Sequence, residues 1–352
     1  MIFSQKILNW YAENKRSLPW RNTSDPYKIW LSEIILQQTR VAQGTPYYLK
    51  FIENYPTVYE LANASEEQVL KSWQGLGYYS RARNLHTTAK MVVEEYGGIF
   101  PDNYNSLLEL KGIGDYTASA IASICFDEPK PVVDGNVYRV LARYFGIGIP
   151  TNSSAGIKYF KKLAQEVMNA ESIRDYNQGI MEFGAMQCTP KKTACADCTL
   201  NEGCVALKEN WVNVLPAKLK KAKIKNRCFN YMVLIITERN GNTKTLLHQR
   251  KSKDIWQNLW EFPLYESDKE IDLKEATFYL QKTLPFNDTP QIYQYREKMI
   301  VHKLSHQHLH THFWIVNTTT ELEGAIDLSE VENYPVPVLI ADFFGAFKNS
   351  YF

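Results

Sequence analysis

Four cysteines lie close together in the second third of the chain, Cys188, Cys195, Cys198 and Cys204, in the order C-x6-C-x2-C-x5-C. This spacing is too dense for independent core thiols and is typical of a caged metal centre. Structural zinc usually takes its ligands from two tight C-x2-4-C pairs, whereas here only the middle two cysteines form one. The outer cysteines reach across longer loops, as a larger iron-sulfur cube permits. We therefore expect a [4Fe-4S] cluster, with zinc and four unligated thiols as the alternatives.

The length and composition indicate an intracellular protein with more than one domain. A chain of 352 residues exceeds what one hydrophobic core usually organises, so two domains are expected. The remaining cysteines, Cys125 and Cys228, form no framework of the secreted kind, and no apolar run approaches membrane-spanning length. We expect a cytoplasmic protein without a membrane partner. With a net charge of only +2, any affinity for nucleic acid must come from local patches.

One basic patch separates two halves of different pattern. Residues 216–227 read PAKLKKAKIKNR, and six cations without an acid between them predict an extended linker. Before this linker, helical periodicity predicts helices over Ile29–Gln38, Glu66–Leu76, Ser80–Glu95, Tyr116–Ile124, Asn136–Phe145 and Ala155–Met168. After it, a β-branched run, a hairpin turn and further extended chain are predicted at Tyr231–Ile236, Asn240-Gly241 and Thr245–His248. The expected architecture is an all-α domain over 1–215 and an α+β domain over 228–352.

A glycine-containing turn joins two of the predicted helices. In Leu110–Ala118, sequence LKGIGDYTA, Gly112 and Gly114 let the backbone turn sharply and expose amide groups at a helix N-terminus. Such a nest binds anions, and a DNA backbone phosphate suits it without any reading of bases. An ordinary helix-helix turn is the alternative, since G-x-G alone is a weak signal.

Two acidic residues are candidates for acid-base chemistry. Asp134, in VVDGN, precedes a predicted helix and is either its N-cap or a catalytic acid. Glu33 lies among apolar residues in WLSEIILQQT, where an ionised side chain costs several kcal/mol unless it has a partner. It is either a buried acid with a shifted pKa or a residue on the wet stripe of an amphipathic helix.

The glycine turn at Leu110–Ala118, called the hairpin below, resembles together with the two acids and the cysteine cluster the MutY family of adenine DNA glycosylases. This family belongs to the helix-hairpin-helix superfamily, which also includes endonuclease III. The resemblance covers nearly the whole chain and is carried by LPWR at Leu18–Arg21, WLSEIILQQT at Trp30–Thr39, GLGYYSRARNLH at Gly75–His86, LKGIGDYTA, VDGNVYRVLAR at Val133–Arg143 and the cysteine loop. It implies a six-helix barrel over about 24–130, facing a helical domain formed by 1–23 and the cluster-containing 131–215, with DNA in the cleft between them.

The resemblance also implies a reaction and assigns residues to it. The reaction is hydrolysis of the N-glycosidic bond of adenine opposite 8-oxoguanine or guanine, after the base is flipped out of the duplex. By resemblance, Glu33 protonates N7 of adenine, Asp134 stabilises the sugar cation, and Tyr116 and Asn136 hold the two carboxyl groups. The adenine pocket is expected at Leu18, Trp20, Arg21 and Gln178. DNA contacts are expected at Gln38, Thr39, Tyr78, Lys111, Gly112, Ile113 and Gly114, with Gln38 and Tyr78 as wedges in the base stack.

Two other functions are alternatives to this reaction. A bifunctional glycosylase and lyase of the endonuclease III type carries a lysine nucleophile at the hairpin position that Tyr116 occupies here, and a phenol cannot form a Schiff base. Lys111 precedes the first hairpin glycine and is expected to contact phosphate or solvent. A non-catalytic module that binds DNA lesions is the second alternative, and the presence of both acids argues against it.

The C-terminal half resembles the Nudix-like domain with which the same family reads 8-oxoguanine. It lacks the R-E-x-x-E-E array that binds magnesium in Nudix hydrolases, so nucleotide hydrolysis is not expected. Leu304, Ser305 and His306 align with the family's F-S-H loop, with leucine in place of phenylalanine. The histidines at 302, 306, 308, 310 and 312 suggest a metal site on one strand face, but no carboxylate partner is apparent and the recognition loop is favoured.

Further cofactors and partners are also expected. Besides the cluster, a monovalent or divalent cation at the hairpin is an open expectation. The protein is expected to act as a monomer on double-stranded DNA, associated with the nucleoid if it comes from a prokaryote. Repair proteins are expected to dock, if anywhere, on the linker.

Overall fold

The computed structural model describes residues 2–220 and 224–351. These residues form two compact units. Unit 1 contains the chain up to residue 64 and residues 83–220, and unit 2 contains residues 65–82 and the described chain after residue 223. None of the helices in these ranges combines the length and apolarity needed to cross a membrane.

The N-terminal part of the chain is helical, as predicted. Its helices are α1 (Ile2–Asn14), α2 (Pro26–Leu36), α3 (Val41–Asn54), α4 (Val58–Asn63), α5 (Glu66–Trp73), α6 (Ser80–Tyr96), α7 (Tyr104–Glu109), α8 (Asp115–Phe126), α9 (Gly135–Phe145), α10 (Ser154–Val167), α11 (Ile173–Met186) and α12 (Val205–Lys208). A short 3₁₀ helix, Pro19–Arg21, follows α1, and another, Asn201–Gly203, precedes α12.

Helix α2 is the buried centre of unit 1. It begins where Asp25 accepts a hydrogen bond from the Tyr27 amide at 3.0 Å, and Pro26 occupies its first turn, where a missing N–H costs nothing. Every residue of its stretch 29–35 is buried, because a helix that is apolar all round belongs in a core. It packs against α8, whose small residues let the two helices approach closely. The acid at position 33 is therefore buried by the fold itself.

The C-terminal part is built on a mixed sheet. Its strands are β1 (Lys225–Thr237), β2 (Thr243–Thr245), β3 (His248–Gln249), β4 (Trp260–Glu261), β5 (Leu264–Ser267), β6 (Gln291–Gln294), β7 (Ile300–Lys303), β8 (Gln307–Thr318) and β9 (Ile326–Asp327), with α13 (Leu273–Thr283), the 3₁₀ helix Leu328–Asn333 and α14 (Val338–Tyr351). The main path runs β6-β8-β1-β2-β9, with β5 on β1 and β7 on β8. The long strands β1 and β8 pair in parallel at its centre.

Both faces of this sheet are covered. On one face, Met232, Leu234 and Trp314 pack with residues of α13 such as Leu280. On the other face, Phe313 stacks on Phe343 of α14 with ring centroids 3.7 Å apart. Because both faces are buried, β1 is a continuous apolar run rather than an alternating one.

The predicted elements agree with the structure in type and differ at some ends. The hairpin at Asn240-Gly241 is confirmed by the antiparallel pairing of β1 with β2. The helix predicted to run to Gln38 ends at Leu36, and the one predicted to run to Leu76 ends at Trp73. In both places a residue with positive φ follows, Gln38 and Gly75 respectively, and this backbone conformation cannot continue a right-handed helix.

The basic segment 216–227 is not extended linker throughout. Its first part is held on unit 1, where Asn152 bonds both the amide and the carbonyl of Leu219, at 2.7 and 3.2 Å. Its last part, from Lys225, already belongs to β1, and Arg227 is paired with Glu266 at 2.7 Å. Lys221 and Lys223 lie outside the described residues. Self-repulsion among the lysines is thus offset by specific contacts at both ends.

Residues 65–82 belong to unit 2, although they lie far before the basic segment 216–227 in the sequence. Asn258 Nδ2 donates to Glu66 Oε1 at 2.6 Å, and Lys71 Nζ donates to the carbonyl of Tyr334 at 3.1 Å. This grouping was not predicted, because neither contact follows from a local sequence pattern. It matters for experiments, since removing the C-terminal part would strip these contacts from α5.

We predict that Gly184→Ala destabilises unit 1. A Cβ at this position of α11 would lie 2.6 Å from the Cβ of Asn136 and 3.0 Å from its backbone carbon, so α9 and α11 would have to separate. The expected loss is roughly 1–3 kcal/mol of unfolding free energy, measured by urea titration. Gly148→Ala is the matched control, because its Cβ would meet no atom within 4 Å. Equal stability of the two variants would contradict the proposed close packing.

Candidate active site

A cavity of about 580 Å³ in unit 1 brings the two candidate acids together. Glu33 of α2 and Asp134, at the start of α9, both line it. The glycine turn before α8 forms another part of its wall. The remaining lining residues are Leu36, Gln37, Gln38, Gly112, Gly114, Asp115, Tyr116, Thr117 and Gly135.

Glu33 is a buried acid, and the wet-stripe alternative is excluded by its 8 % exposure. Burial is the main cause that raises its pKa from 4.5 to about 7. The neighbouring Asp134 carboxylate acts in the same direction, and the Tyr116 hydrogen bond and the charge of Arg21 lower the pKa. A carboxyl group with this pKa carries its proton near neutral pH and can still release it. It therefore has the properties of a general acid.

Tyr116 holds Glu33 in place. Its phenol donates to Glu33 Oε2 at 2.7 Å and also lies 3.3 Å from Met181 Sδ. Burial and the two nearby carboxylates raise the pKa of the phenol well above its ordinary value, so it stays a donor. A tyrosine in the first turn of α8 is thus a positioning group for the acid on α2.

Asp134 is the N-cap of α9, as one of the two alternatives predicts, and it also lines the cavity. Its Oδ1 accepts from the amides of Asn136 and Val137 at 2.9 and 2.8 Å, and its Oδ2 accepts from Asn136 Nδ2 at 2.8 Å. Burial raises the pKa of Asp134, and these hydrogen bonds act against that rise because they favour the charged form. The side chain is fixed in orientation by three donors.

The glycine turn has a backbone that depends on glycine. Gly112 has φ of 77°, and a Cβ there would lie 2.7 Å from Asn84, so the position demands glycine. Ile113 is buried and anchors the turn, while Lys111 and Gly114 are exposed. The Thr88 hydroxyl donates to the Lys111 carbonyl, which fixes the loop from behind. The first residues of α8, whose amides lack intrahelical partners as at any helix start, also line the cavity.

Gln38 and Thr39 lie just beyond the end of α2. Gln38 is exposed with φ of 55°, an uncommon conformation for a residue other than glycine. Thr39 donates its amide to Leu36 and its hydroxyl to Gln37, at 3.1 and 3.3 Å, and so closes the turn. The strained turn presents the Gln38 side chain at the rim of the cavity.

The four predicted pocket residues do not line this cavity. Trp20 is buried against Tyr48, Gln178 accepts from the Tyr11 phenol at 2.8 Å, and Leu18 is half-buried before the short helix Pro19–Arg21. Arg21 is the one that acts on Glu33, through its charge. Arg21 and Gln178 meet at Tyr11 of α1, whose ring centroid lies 5.6 Å from the Arg21 guanidinium carbon.

Glu182 is the ion-pair partner of Arg21, and it was not predicted from the sequence. It is almost fully buried and accepts from Arg16 and Arg21, with shortest distances of 2.6 and 2.7 Å. The hydrogen bonds from the two guanidinium groups lower the pKa of Glu182 to about 2 against the opposing effect of burial. An acid within the apolar helix IMEFGAM was the available signal, of the same kind that identified Glu33.

The four cysteines lie in one loop organised by a buried arginine. Arg143 donates to Cys188 Sγ at 3.4 Å and to the Thr189 carbonyl at 2.7 Å, and it accepts through its own carbonyl from Cys204 Sγ at 3.6 Å. Burial raises the pKa of Cys198 to about 11, and the other three cysteines contribute smaller effects in the same direction. No group of three metal-binding side chains with ligand geometry occurs among the described residues. The chemistry of the donor set fits a thiolate-bound metal centre.

In unit 2, Ser305 and His306 are exposed at the turn between β7 and β8. The Leu304 amide closes that turn by donating a hydrogen bond to the Gln307 carbonyl at 2.8 Å. The Ser305 hydroxyl is hydrogen-bonded to the phenol of Tyr78. Tyr78 itself has φ of 47°, and the centroid of its ring lies 5.7 Å from Cζ of Arg81. The predicted recognition serine and a predicted wedge residue are therefore direct neighbours.

The histidines do not form the single face that their spacing suggested. His308, His310 and His312 share one face of β8, but His302 lies on β7 opposite Leu309 and so faces the other side. The expectation that no carboxylate accompanies them is wrong, because Glu270 lies 2.8 Å from His312 Nε2. One histidine with one acid, hydrogen-bonded also to Gln294, is a local hydrogen-bonded cluster rather than a metal site.

Comparison with known families and structures places both parts of the chain. Residues 31–158 match the model of the HhH-GPD superfamily base excision DNA repair proteins, and residues 232–346 match the NUDIX domain. A thermostable thymine-DNA glycosylase superposes with a TM-score of 0.55 at 32% identity, covering 59% of this chain and 96% of its own. A trapped endonuclease III-DNA intermediate, with a TM-score of 0.52, 21% identity and coverage of 59% and 94%, supports the helical fold alone.

Several relatives are similar over most of the chain. The adenine DNA glycosylase of Buchnera aphidicola subsp. Schizaphis graminum is 39% identical over 271 residues, which are 76% of each chain. That of Buchnera aphidicola subsp. Acyrthosiphon pisum is 36% identical over 88% of this chain and 85% of its own. The human adenine DNA glycosylase is 43% identical over 58% of this chain and 39% of its own.

We predict that Glu33→Gln changes the pH dependence of stability. The folded pKa lies above the unfolded value of 4.5, so the wild-type glutamate loses stability as the pH rises from 4.5 through about 7. A neutral glutamine avoids this loss and still accepts from Tyr116. Between about pH 5 and about pH 8, the variant should gain roughly 3 kcal/mol relative to the wild type in urea unfolding. The exposed Glu94→Gln should show no such gain; an equal pH dependence of all three proteins would exclude a buried, shifted Glu33.

Proposed function

This chain belongs to the family of adenine DNA glycosylases, and we propose that it removes adenine mispaired with 8-oxoguanine or guanine. It is a monofunctional DNA N-glycosylase, a hydrolase of base excision repair, and it binds DNA. The observation that carries the proposal is that one cavity is lined by two acids of different kinds. Glu33 is a buried carboxyl group with a pKa of about 7, and Asp134 is a carboxylate that caps α9. Cleavage of an N-glycosidic bond calls for this pair of groups.

We assign the acid role to Glu33. At neutral pH its proton is available to N7 of a flipped adenine, which makes the base a better leaving group. The bond from the sugar carbon to N9 then breaks with its electron pair going to the base, and the sugar becomes an oxocarbenium-like cation. Tyr116 keeps the acid oriented by donating to the other carboxyl oxygen. Glu33 is left as a carboxylate that can accept a proton from the attacking water.

Asp134 is assigned to the sugar cation. Its oxygens are held by the amides of Asn136 and Val137 and by the side chain of Asn136, so the carboxylate cannot rotate away. Its negative charge either stabilises the cation or captures it covalently until water replaces it. The overall reaction consumes one water and yields free adenine and an abasic sugar.

The bifunctional alternative is disfavoured by the same geometry. The first turn of α8 presents Tyr116 rather than an amine, and a phenol cannot form the Schiff base that β-elimination requires. Lys161 is close, but its ammonium group is bonded to Asp115, Ser119 and the carbonyl of Pro131. With its donors directed to three protein acceptors, this lysine is held in place and is not presented to the cavity as a nucleophile.

DNA binding is proposed for the rim of the cavity. The amides of the glycine turn and of the first turn of α8 suit a backbone phosphate, with the exposed Lys111 beside them. Gln38 is proposed as a wedge because its strained backbone holds an exposed side chain at the rim. Tyr78 has the same two features within unit 2. The cation at the hairpin stays a proposal that rests on the resemblance.

For the four cysteines we propose a [4Fe-4S] cluster. The support is the donor set of four thiols in one loop, together with the family to which the chain belongs. When bound, such a cluster fixes a loop that has little core of its own. Cys188, Cys195, Cys198 and Cys204 would be its ligands, and Arg143 would donate to the Cys188 sulfur.

For the NUDIX domain we propose recognition of 8-oxoguanine by Ser305 and His306. The lesion differs from guanine by a carbonyl oxygen at C8 and a protonated N7, which a hydroxyl and an imidazole can read. Both side chains are exposed at the same turn. Leu304, half-buried, lacks the aromatic ring of the family's loop, so any stacking contribution from that position is absent.

We predict that Glu33→Gln abolishes adenine release and keeps affinity for the mispair. The amide preserves the shape and the bond from Tyr116 but cannot supply the proton, which contributes about 10²–10⁴-fold to such reactions. Single-turnover release of adenine and duplex titration measure the two properties. The exposed Glu94→Gln should retain both. Parallel loss of binding and release would make Glu33 a structural residue instead.

The cysteines should give the protein a visible colour. The purified protein should be brown and contain about four irons per chain, because four thiolates hold one [4Fe-4S] cube. Cys198→Ser should lose the colour and weaken DNA binding while the helical content of unit 1 remains. Cys125→Ser, outside the loop, should stay brown. A colourless wild-type protein with stoichiometric zinc would refute the iron-sulfur assignment.

Lesion reading should be separable from catalysis. Ser305→Ala combined with His306→Ala should lower the preference for 8-oxoguanine over guanine roughly ten- to a hundredfold, as the loss of two hydrogen bonds implies. Release of adenine opposite guanine should persist. Point substitution is preferred to truncation because residues 65–82 contact the C-terminal part. The exposed Ser329→Ala is the control; undiminished preference in the double variant would place recognition elsewhere.

A further inference from the structure

An acidic residue stands at the entrance of the proposed phosphate site. Asp115 directly follows Gly114 and is the first residue of α8. It lines the same cavity as Glu33 and Asp134, and its side chain is 53% exposed. It has no part in the proposed reaction.

This placement creates an electrostatic conflict. A helix start with free amides attracts anions, and a carboxylate at that start is favourable for the helix alone. The same carboxylate repels a DNA phosphate that approaches the same amides, and it can also compete for them. A chain that uses this turn to bind a duplex must therefore neutralise Asp115 or turn it aside.

The structure does both through groups on two other helices. Lys161 of α10 places its Nζ 3.0 Å from the Asp115 carboxylate, and the phenol of Tyr104 on α7 donates to Asp115 Oδ1. The Asp115 hydrogen bond and charge contribute, after burial, to raising the pKa of Tyr104 to about 12, so the phenol remains a donor. Both carboxylate oxygens are thus engaged on the side of α7 and α10.

Lys161 cannot serve as a phosphate ligand in this arrangement. An ammonium group has three protons, and Lys161 directs them to Asp115, to Ser119 Oγ at 2.9 Å and to the Pro131 carbonyl at 3.0 Å. Its side chain is 28% exposed, whereas that of the next residue, Lys162, is 80% exposed. The Lys161 ammonium group is therefore used in contacts within the protein.

We propose that Lys161 is a positioning residue for DNA binding, which neutralises Asp115 and holds it away from the backbone phosphate bound by the glycine turn. This inference rests on the proposal that the turn binds phosphate. It adds a residue of α10, far from the glycine turn in sequence, to the set on which duplex affinity depends. The effect is electrostatic and acts through Asp115, not through contact of Lys161 with DNA.

The test is a charge-rescue cycle in the full-length protein. Lys161→Met, Asp115→Asn and the double variant are titrated with an undamaged duplex by fluorescence anisotropy at two salt concentrations. Lys161→Met should bind roughly three- to tenfold more weakly at the lower salt, because one unpaired carboxylate then faces phosphate. The double variant should recover wild-type affinity within about twofold, and the deficit of the single variant should shrink as salt screens it. Lys162→Met is the matched control and should bind like the wild type within about twofold.

The double variant decides between an indirect and a direct role of Lys161. If it binds as weakly as Lys161→Met, Lys161 contacts DNA or is structural, and the inference is wrong. If Lys161→Met fails to fold, Asp115→Asn alone decides, since it should bind at least as tightly as wild type and weaker binding contradicts the proposal. Failure of the unmodified chain to bind duplex or release adenine would overturn the proposed function, whereas normal binding with no effect at Lys161 overturns only this inference.

Discussion

The burial of one carboxyl group, that of Glu33, is the interaction on which the active site depends. An acid on an otherwise apolar helix in the core of unit 1 cannot be solvated, so its neutral form is favoured and its pKa rises to about 7. The fold tolerates this cost because Tyr116 satisfies the group with a hydrogen bond. The helix that stabilises unit 1 by burying its whole circumference is thus also the element that carries the acid.

The carboxyl group of Asp134 shows how secondary structure can favour a different protonation state for the same kind of side chain. Asp134 is half-buried, and it caps α9 and receives three hydrogen bonds, each of which favours its anionic form. Glu33 therefore has apolar surroundings and a hydrogen bond from Tyr116, whereas Asp134 has the amides at the start of α9 and the Asn136 side chain as donors. A proton donor and a stabilising anion can coexist in one cavity because their surroundings differ, not their side chains.

Much of this was predictable from the sequence, and the exceptions have physical reasons. Glu33 stood out as an acid within an apolar helix, and Asp134 and the glycine turn stood out because each directly precedes a predicted helix. Glu182 was missed although its signal was of the same kind, and its pairing with Arg16 and Arg21 joins residues that no local pattern connects. The grouping of residues 65–82 with the C-terminal unit, and the pairing of Tyr78 with Ser305, depend on tertiary contacts that no periodicity encodes. The end of α2 was misplaced for a different reason, since positive φ at a residue other than glycine has no strong sequence signature.

The central claim is that Glu33, whose pKa is raised by burial, donates its proton to adenine. The pH dependence of single-turnover adenine release tests this claim most directly. The rate should be high below about pH 7 and fall about tenfold per pH unit above it, because only the protonated form of Glu33 is active. A fall toward more acidic pH, set by protonation of Asp134, should bound the profile on the other side. A rate that is constant from about pH 5 to about pH 9, or one that begins to fall near the pKa of about 4.3 of an ordinary glutamate, would contradict the account.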